Sequence, residues 1–268
     1  MQRDDREVEW NAHAYHQLGE PQHGWGQKVL DRFIARLRGD EVVLDAGCGT
    51  GRVTAELLER AAGVSVIALD QSSNMLEVAA QFLVPRFGAR VGFLCADLAT
   101  LELERPVDAV FSTATFHWVT DHPRLFANLW RALVPGGIVV AQCGGGPNLA
   151  RLVARIEALM RQPPFARWLA EMPPPWEFAD EVTTARRLAE VGFVDVETRL
   201  TPAPTVLQDA RVYAEFVSNI VVRHHLARLN DRELRDQFMA ALVEQAANDE
   251  PAWSLDYVRL DLTGRRAA

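Results

Sequence analysis

Five short apolar runs limit what this chain can fold into. They are Glu41–Asp45, Val64–Leu69, Val91–Cys95, Val107–Phe111 and Ile138–Gln142, and helical spacing fills most of the gaps between them. One such stretch follows Gly51 with Val53, Leu57 and Leu58. Another opens at Ser72 and Ser73, which can cap a helix carrying Met75, Leu76, Ala79 and Phe82. A third covers residues 121–134, and an apolar stripe from Trp25 to Leu37 precedes them all. Strands that are apolar on both faces and alternate with helices predict a parallel sheet covered on both sides. Ligands of such sheets bind at the carboxyl ends of the strands. Asp45, Asp70 and Asp97 fall at three of those ends in succession.

Beyond residue 143 the pattern changes. Gly144-Gly145-Gly146-Pro147 reads as a linker, and residues 162–176 as a proline-rich loop. Helices are expected over 148–161, 183–191, 209–229 and 231–248, and strands over 193–200 and 255–263. The last two strands are expected to complete the sheet in antiparallel fashion, with the helices of 148–180 and 208–248 as a cap. The domain division is then residues 1–40 as an N-terminal helical lid, 41–143 as an α/β core, and 144–268 as cap insertions plus the closing strands.

The 268 residues are 49% hydrophobic, enough for a sizeable core. A net charge of −8 gives no general field for nucleic acid or an anionic membrane. No apolar run of about 18 residues and no signal-peptide pattern is visible, so the expected compartment is the cytoplasm. Cys48, Cys95 and Cys143 form no CxxC and point to reduced thiols rather than disulfides or zinc.

The run VVLDAGCGTG (42–51) asks for a cofactor. A dinucleotide loop is spaced GxGxxG and offers N–H groups to a pyrophosphate. Here the spacing is GxGxG and Asp45 stands before it, which would repel a pyrophosphate. A carboxylate there suits a cofactor with a positive group, such as the α-ammonium of S-adenosylmethionine. Asp70 can accept from both ribose hydroxyls, Asp97 from the adenine amino group, and Met75 and Leu98 can pack on the adenine. Ala46, Gly47, Cys48, Gly49, Gly51, Gln71, Ala96 and Thr113 complete the expected cofactor site. Each acid read alone is equally a helix cap or a solvated loop residue; the ordered set with the glycines is what points to a ligand.

In order, VVLDAGCGTGRVT, IALDQSSNML, CADL, DAVFSTATFHWV and LWRALVPGGIVVAQ resemble the motifs of class I S-adenosylmethionine-dependent methyltransferases over residues 41–143. The resemblance implies a Rossmann-like methyltransferase fold, α/β, with a mostly parallel seven-stranded sheet, helices on both faces and a helical cap. The segment FHWVTDHPRLFANLWRALVPGG is most similar to the trans-aconitate and juvenile-hormone-acid methyltransferase branch, whose members methylate carboxylates of small molecules. It implies carboxyl O-methylation of a small-molecule substrate. O-, N- or C-methylation of a natural-product or quinone-like acceptor stays open, as does a binding module that keeps the cofactor without transfer.

A carboxylate acceptor needs no general base, whereas a hydroxyl or ammonium acceptor can need one. His117 is the candidate base, or else a packed residue that orients the loop. By resemblance, Gln22 and Trp118 hold the substrate carboxylate, and Tyr15 and Trp25 are further contacts. Arg223-His224-His225 lies on a predicted helix, lacks the i, i+4 spacing of a metal pair, and reads as a solvated face. No metal, nucleic acid or membrane partner is expected, and the assembly reads as a monomer or homodimer.

Overall fold

The structure, a computed structural model, describes residues 20–268, and of residues 20–23 only the helix they belong to. It divides into two units, one holding 19–148, 176–202 and 258–268, the other 149–175 and 203–257.

The first unit contains the sheet. Its elements in chain order are α1 (Glu20–Ile34), β1 (Val42–Ala46), α2 (Arg52–Arg60), β2 (Ser65–Asp70), α3 (Ser73–Phe87), β3 (Val91–Cys95), β4 (Val107–Thr113), α4 (His122–Ala132) and β5 (Leu133–Gly144). Later come α7 (Glu181–Val191), β6 (Phe193–Pro202) and β9 (Val258–Arg266). The seven strands run in the order β3-β2-β1-β4-β5-β9-β6. The first five are parallel, and β9 is antiparallel to both β5 and β6.

The helices form where the sequence offers starts and stops. Ser72 accepts from the Met75 amide at 3.2 Å, Asp121 from Arg124 at 3.0 Å and Asp180 from Thr183 at 2.6 Å. Each such cap is worth about 1 kcal/mol. Gly192, at φ 107°, ends α7 in the left-handed conformation that glycine adopts without strain. The amphipathic α4 buries Leu125, Phe126, Leu129 and Ala132 against one face of the sheet. On the other face, Val29, Leu30 and Phe33 of α1 join Leu57 and Leu58 of α2. Each large side chain so buried contributes about 1.5–3 kcal/mol.

The second unit contains α5 (Ala150–Met160), α6 (Ala166–Leu169), β7 (Thr205–Val206), α8 (Ala210–Phe216), α9 (Arg223–Arg228), α10 (Arg232–Ala247) and β8 (Ser254–Leu255), with β7 and β8 paired. Phe165 and Phe238 meet edge to face at 5.1 Å, and Arg155 grips Asp249 with two bonds of 2.9 and 2.6 Å.

Four expectations of detail change. The proline-rich stretch contains the short helix α6. The expected helix 209–229 is broken by a π-helical turn at Val217–Val221, which periodicity alone does not announce. His225 does not lie on a solvated face: it is 2% exposed and stacks on Phe238 at 6.5 Å. Gly144–Gly146 is not a linker either. Gly144 is still in β5, the Gly145 amide bonds Val258 O at 3.2 Å, and the Gly146 amide bonds Ala179 O at 3.0 Å. A Cβ on Gly145 would meet Leu260 Cβ at 2.5 Å, so glycine is there for close packing rather than for freedom.

Among the described residues, no helix is long and apolar enough to cross a membrane.

Candidate active site

β1 ends at Ala46 and the chain turns through Gly47, Gly49 and Gly51, all at positive φ (87°, 55° and 80°). At Gly47 a side chain is also excluded by space, since a Cβ would lie 2.2 Å from Thr115 Oγ1. The loop is tied on both sides. The amides of Gly47 and Cys48 both donate to Leu69 O at 2.8 Å, and Thr115 Oγ1 donates to Gly47 O at 3.3 Å. Ser112 Oγ donates to Ala46 O at 2.6 Å.

Asp45 is buried beneath this loop, 3% exposed, and accepts a 2.6 Å hydrogen bond from Thr54 Oγ1 of α2. Burial raises its pKa to about 7; the Thr54 bond opposes the rise and the Asp70 carboxylate adds to it. Asp70, at the end of β2, accepts from the Gly49 amide and from the Ser72 amide, both at 3.0 Å. It therefore anchors the glycine loop. The Cys48 thiol between the two acids is pushed well up, first by burial and then by both carboxylates. The loop thus lies in a negative field, unfit for a pyrophosphate and suited to a cation.

Asp97 is exposed and caps a short 3₁₀ turn, accepting from the Ala99 amide at 2.8 Å. Met75 and Leu98 are buried at 3% and 4% exposure, Ala96 is half-buried, and Gln71 is exposed with its carbonyl accepting from Cys95 Sγ at 3.5 Å. Thr113 is half-buried at the end of β4. A Cβ on Gly26 of α1 would lie 3.0 Å from Val53 and 3.8 Å from Thr113 Oγ1, so α1 crosses here close to the loop.

Past β4 the chain forms a 3₁₀ turn at Phe116–Trp118. A polar relay fixes it. Glu177 holds Arg187 at 2.9 Å, Arg187 donates to His122 Nδ1 at 3.2 Å, and His122 Nε2 donates to Phe116 O at 3.1 Å. The Glu177 amide closes the circuit on His117 O at 2.8 Å. His117 itself is 9% exposed; its ring stacks on Phe178 at 5.8 Å and tilts against Trp118 at 5.0 Å. Trp176 stacks on Phe178 at 5.6 Å and meets Trp118 edge to face at 6.3 Å. The Gly144 amide donates to His117 Nδ1 at 3.4 Å, which leaves the imidazole proton on Nε2. The pKa of His117 is held well below the usual histidine value, by burial first and then by the charges of Arg259 and His122.

Of the residues expected on the acceptor side, His117 and Trp118 come together in this aromatic cluster. Trp25 lies against Arg259, whose guanidinium carbon is 4.5 Å from its ring centre. Tyr15 and the side chain of Gln22 lie outside the described residues. Sequence reasoning missed Thr54, Thr115, Trp176, Phe178 and Arg259. An aromatic pair inside a proline-rich stretch, PPPWEF, was the available signal for Trp176 and Phe178. Arg259 offered none.

A sheet of this order, with a glycine loop set between two acids at the ends of β1 and β2, is the arrangement that the resemblance to class I S-adenosylmethionine-dependent methyltransferases implies. The residues present fit that cofactor: the positive-φ glycines would let the backbone approach it, and the carboxyl groups of Asp45 and Asp70 flank the loop where its ammonium and ribose would be held.

Comparison with known proteins agrees. Residues 43–137 match the family described as a methyltransferase domain. A trans-aconitate 2-methyltransferase of Deinococcus radiodurans is 34% identical over 50% of this chain and 48% of its own length, so the chain spans about half of that relative. Its namesake from Azoarcus is 29% identical over 75% of this chain and 77% of its own, and that of Methylobacterium nodulans 28% over 97% and 99%. Among solved structures, phosphoethanolamine N-methyltransferase 2 of Haemonchus contortus, bound to S-adenosylhomocysteine, superposes with a TM-score of 0.62. It is 18% identical and covers 96% of this chain and 57% of that one, a likeness of fold. Residues 43–137 thus match a methyltransferase domain, and the chain is similar over most of its length to trans-aconitate 2-methyltransferases.

Proposed function

We propose that this enzyme methylates a carboxylate oxygen of a small organic acid. One observation carries the reading: His117, the candidate base, is a neutral imidazole whose acceptor nitrogen is occupied by the Gly144 amide. Its remaining nitrogen then bears the proton and is placed to donate a hydrogen bond rather than to accept a proton. That arrangement serves an acceptor that arrives already ionised. The names of the relatives support the same chemistry, since they include trans-aconitate 2-methyltransferases and a malonyl-[acyl-carrier protein] O-methyltransferase of Priestia megaterium.

When bound, S-adenosylmethionine supplies the methyl group, whose bond to sulfur breaks as a bond to the acceptor oxygen forms, with no proton to be removed from a carboxylate. Asp45 and Asp70 fix the cofactor's charged and ribose ends. Asp97 takes the adenine amino group, and Met75 and Leu98 pack on the ring. His117 Nε2–H and the Trp118 indole N–H orient the acceptor, and by the resemblance Gln22 would be a third neutral donor and Tyr15 a further substrate contact. Neutral donors align the oxygen without an ion pair that would hold its charge back. The aromatic wall of Trp118, Trp176 and Phe178 keeps water from the methyl. The reading includes a soluble cytoplasmic enzyme, monomeric or homodimeric, with no nucleic-acid or membrane partner.

The test is transfer of a labelled methyl group to a panel of organic acids, trans-aconitate included, with the product identified by mass spectrometry and alkaline hydrolysis. A base-labile ester is expected. Label on a hydroxyl or amine, or tight cofactor binding with no transfer to any acid, overturns the reading.

A further inference from the structure

The aromatic wall is made from two stretches of chain far apart in sequence. One is the 3₁₀ turn with His117 and Trp118; the other carries Trp176 and Phe178. Their rings meet across a seam, His117 on Phe178 at 5.8 Å and Trp118 against Trp176 at 6.3 Å. Ring contacts alone set no sharp register, since aromatic pairs accept a range of distances and tilts. Hydrogen bonds are more directional. Glu177 stands in the chain between the two aromatic residues and makes two of them: its amide holds His117 O at 2.8 Å, and its carboxylate holds Arg187 at 2.9 Å. Arg187 of α7 and His122 of α4 carry the tie back to Phe116 O. Leu188 of α7 lies in one core with Leu125 and Leu129 of α4, so the tie is anchored on packed helices.

These bonds leave His122 a single protonation state. A guanidinium only donates, so His122 Nδ1 accepts from Arg187; a carbonyl only accepts, so Nε2 carries the proton toward Phe116 O. A second proton would go onto Nδ1, 3.2 Å from a guanidinium nitrogen, and set donor against donor and cation against cation. The ring is 1% exposed. Burial and the Arg187 charge oppose its protonation; the Phe116 bond and the charges of Glu177 and Asp121 favour it, and the pKa settles below the usual histidine value. His117, the other titratable ring that feels this one, is itself held neutral, and the Phe126 ring 5.5 Å away carries no charge.

From these facts we propose that His122 and Arg187 are positioning residues for methyl transfer: with Glu177 they hold the two halves of the aromatic wall in the register that orients the acceptor, and they do so only while His122 is neutral. Neither touches the reacting atoms. Acid opens the tie at Nδ1; Arg187 draws away with Glu177, and the seam between the 3₁₀ turn and Trp176–Phe178 loosens. The proposal rests on the reading above that this wall faces the acceptor, and not on which acceptor atom takes the methyl group.

The experiment follows kcat for trans-aconitate from pH 8 down to the acid limit of folding, in the full chain at saturating S-adenosylmethionine, so that the Asp45 proton does not enter. Each profile is read relative to its own value at pH 8. His122→Gln is the test variant, because a carboxamide can accept from Arg187 and donate to Phe116 O as the neutral imidazole does, and does not titrate. The unmodified enzyme should lose about tenfold or more in kcat on the acid side, within what misplacing a substrate costs. His122→Gln should stay flat over the same range; ionisation of the acceptor itself is common to both proteins and cancels. Arg187→Met removes a cation that opposes the proton and should move the acid limb to higher pH. A side chain that only packs would change neither profile. Near-ultraviolet circular dichroism, with Trp176→Phe identifying the signal of the seam, should change with the same midpoint in the unmodified protein and not in His122→Gln.

Superimposable profiles for the unmodified protein and His122→Gln overturn the proposal, and ester formed in both would leave the carboxyl reading standing. If His122→Gln does not hold S-adenosylhomocysteine, Arg187→Met is read in its place, and an unmoved acid limb overturns the proposal. If no acid is methylated, the carboxyl reading falls and the dichroism decides alone. A seam signal that changes in acid and is made flat by His122→Gln then supports the tie; one that His122→Gln leaves as it was overturns it.

Discussion

Thr54 donates to Asp45 across 2.6 Å, and both side chains are shielded, at 0% and 3% exposure. That bond only partly offsets the burial that raises Asp45 to about 7. The folded carboxyl thus keeps a proton that the unfolded chain gives up near pH 4. Between those values Asp45 makes the cofactor-free protein less stable as the pH rises. An ammonium placed beside it reverses the preference and drives the proton off. Binding of S-adenosylmethionine at pH 6 should therefore release a proton, detectable as a buffer-dependent heat in calorimetry, and affinity should fall as the pH drops through 7. Asp45→Asn is expected to bind about tenfold or more weakly at pH 8 and to lose the proton release. Equal heats in buffers of different ionisation enthalpy would refute the assignment of Asp45 to the ammonium.

Gly47 tests the loop. At φ 87°, with Thr115 Oγ1 2.2 Å from where a Cβ would be, Gly47→Ala meets both backbone strain and a clash. Destabilisation of about 2 kcal/mol or more is expected, with loss of cofactor binding. Adding Thr115→Ala removes the clash and leaves the strain. The double variant should thus regain part of the loss in thermal melts. Strict additivity of the two single effects would contradict the geometry.

His117→Gln separates the acceptor classes. With a carboxylate acceptor, proton transfer is not required, and kcat should stay within about tenfold provided cofactor affinity is kept. A fall of about 10²–10⁴ in such a folded variant is what loss of a general base produces. That result would move the assignment to a hydroxyl or amine acceptor.

Histidines set the acid side of stability. His117, His122, His224 and His225 all titrate below the usual value because they are buried, His224 and His225 at about 4. The unfolded chain takes up protons at these positions near pH 6.5, where the folded one does not. Their contribution is therefore complete above that pH and is lost as the pH falls toward 4. Asp45 acts in the opposite direction, one group against four, so urea midpoints should decline from pH 7 to pH 5. His225→Phe should flatten the decline. A midpoint that rises on acidification would contradict the burial of these rings.

The sheet was legible in the sequence because its central strands are apolar on both faces and end at acids. Asp45, Asp70 and the glycines could be read together for the same reason. The second half resisted because its signals are tertiary. In LDYVRLDL, alternation treats Arg259 and Asp261 as the wet side of a strand. Only pairing with β5 reveals that Arg259 stands opposite Gly144 and that its guanidinium lies over the Trp25 ring. The same run conceals a division, since Ser254–Leu255 pairs with β7 and Val258–Arg266 with β5 and β6. His225 looked solvated because its helix is interrupted by a π turn, which shifts the faces that a 3.6-residue period would assign.

The position of β9 between β5 and β6 bears on how the molecule is made. Both neighbours precede it in the chain, and among the described residues β6 has no other strand partner. On the ribosome, the glycine loop and the five parallel strands can assemble while β6 waits with its edge open. The sheet closes only when the last strand slides into a gap already bordered on both sides, a long loop closure made late. Pulse-labelled hydrogen exchange during refolding should show β6 gaining protection together with β9 and after β1. Until then β6 is an exposed edge in a nascent enzyme, and Arg259 and Asp261 reach their places with the same final strand.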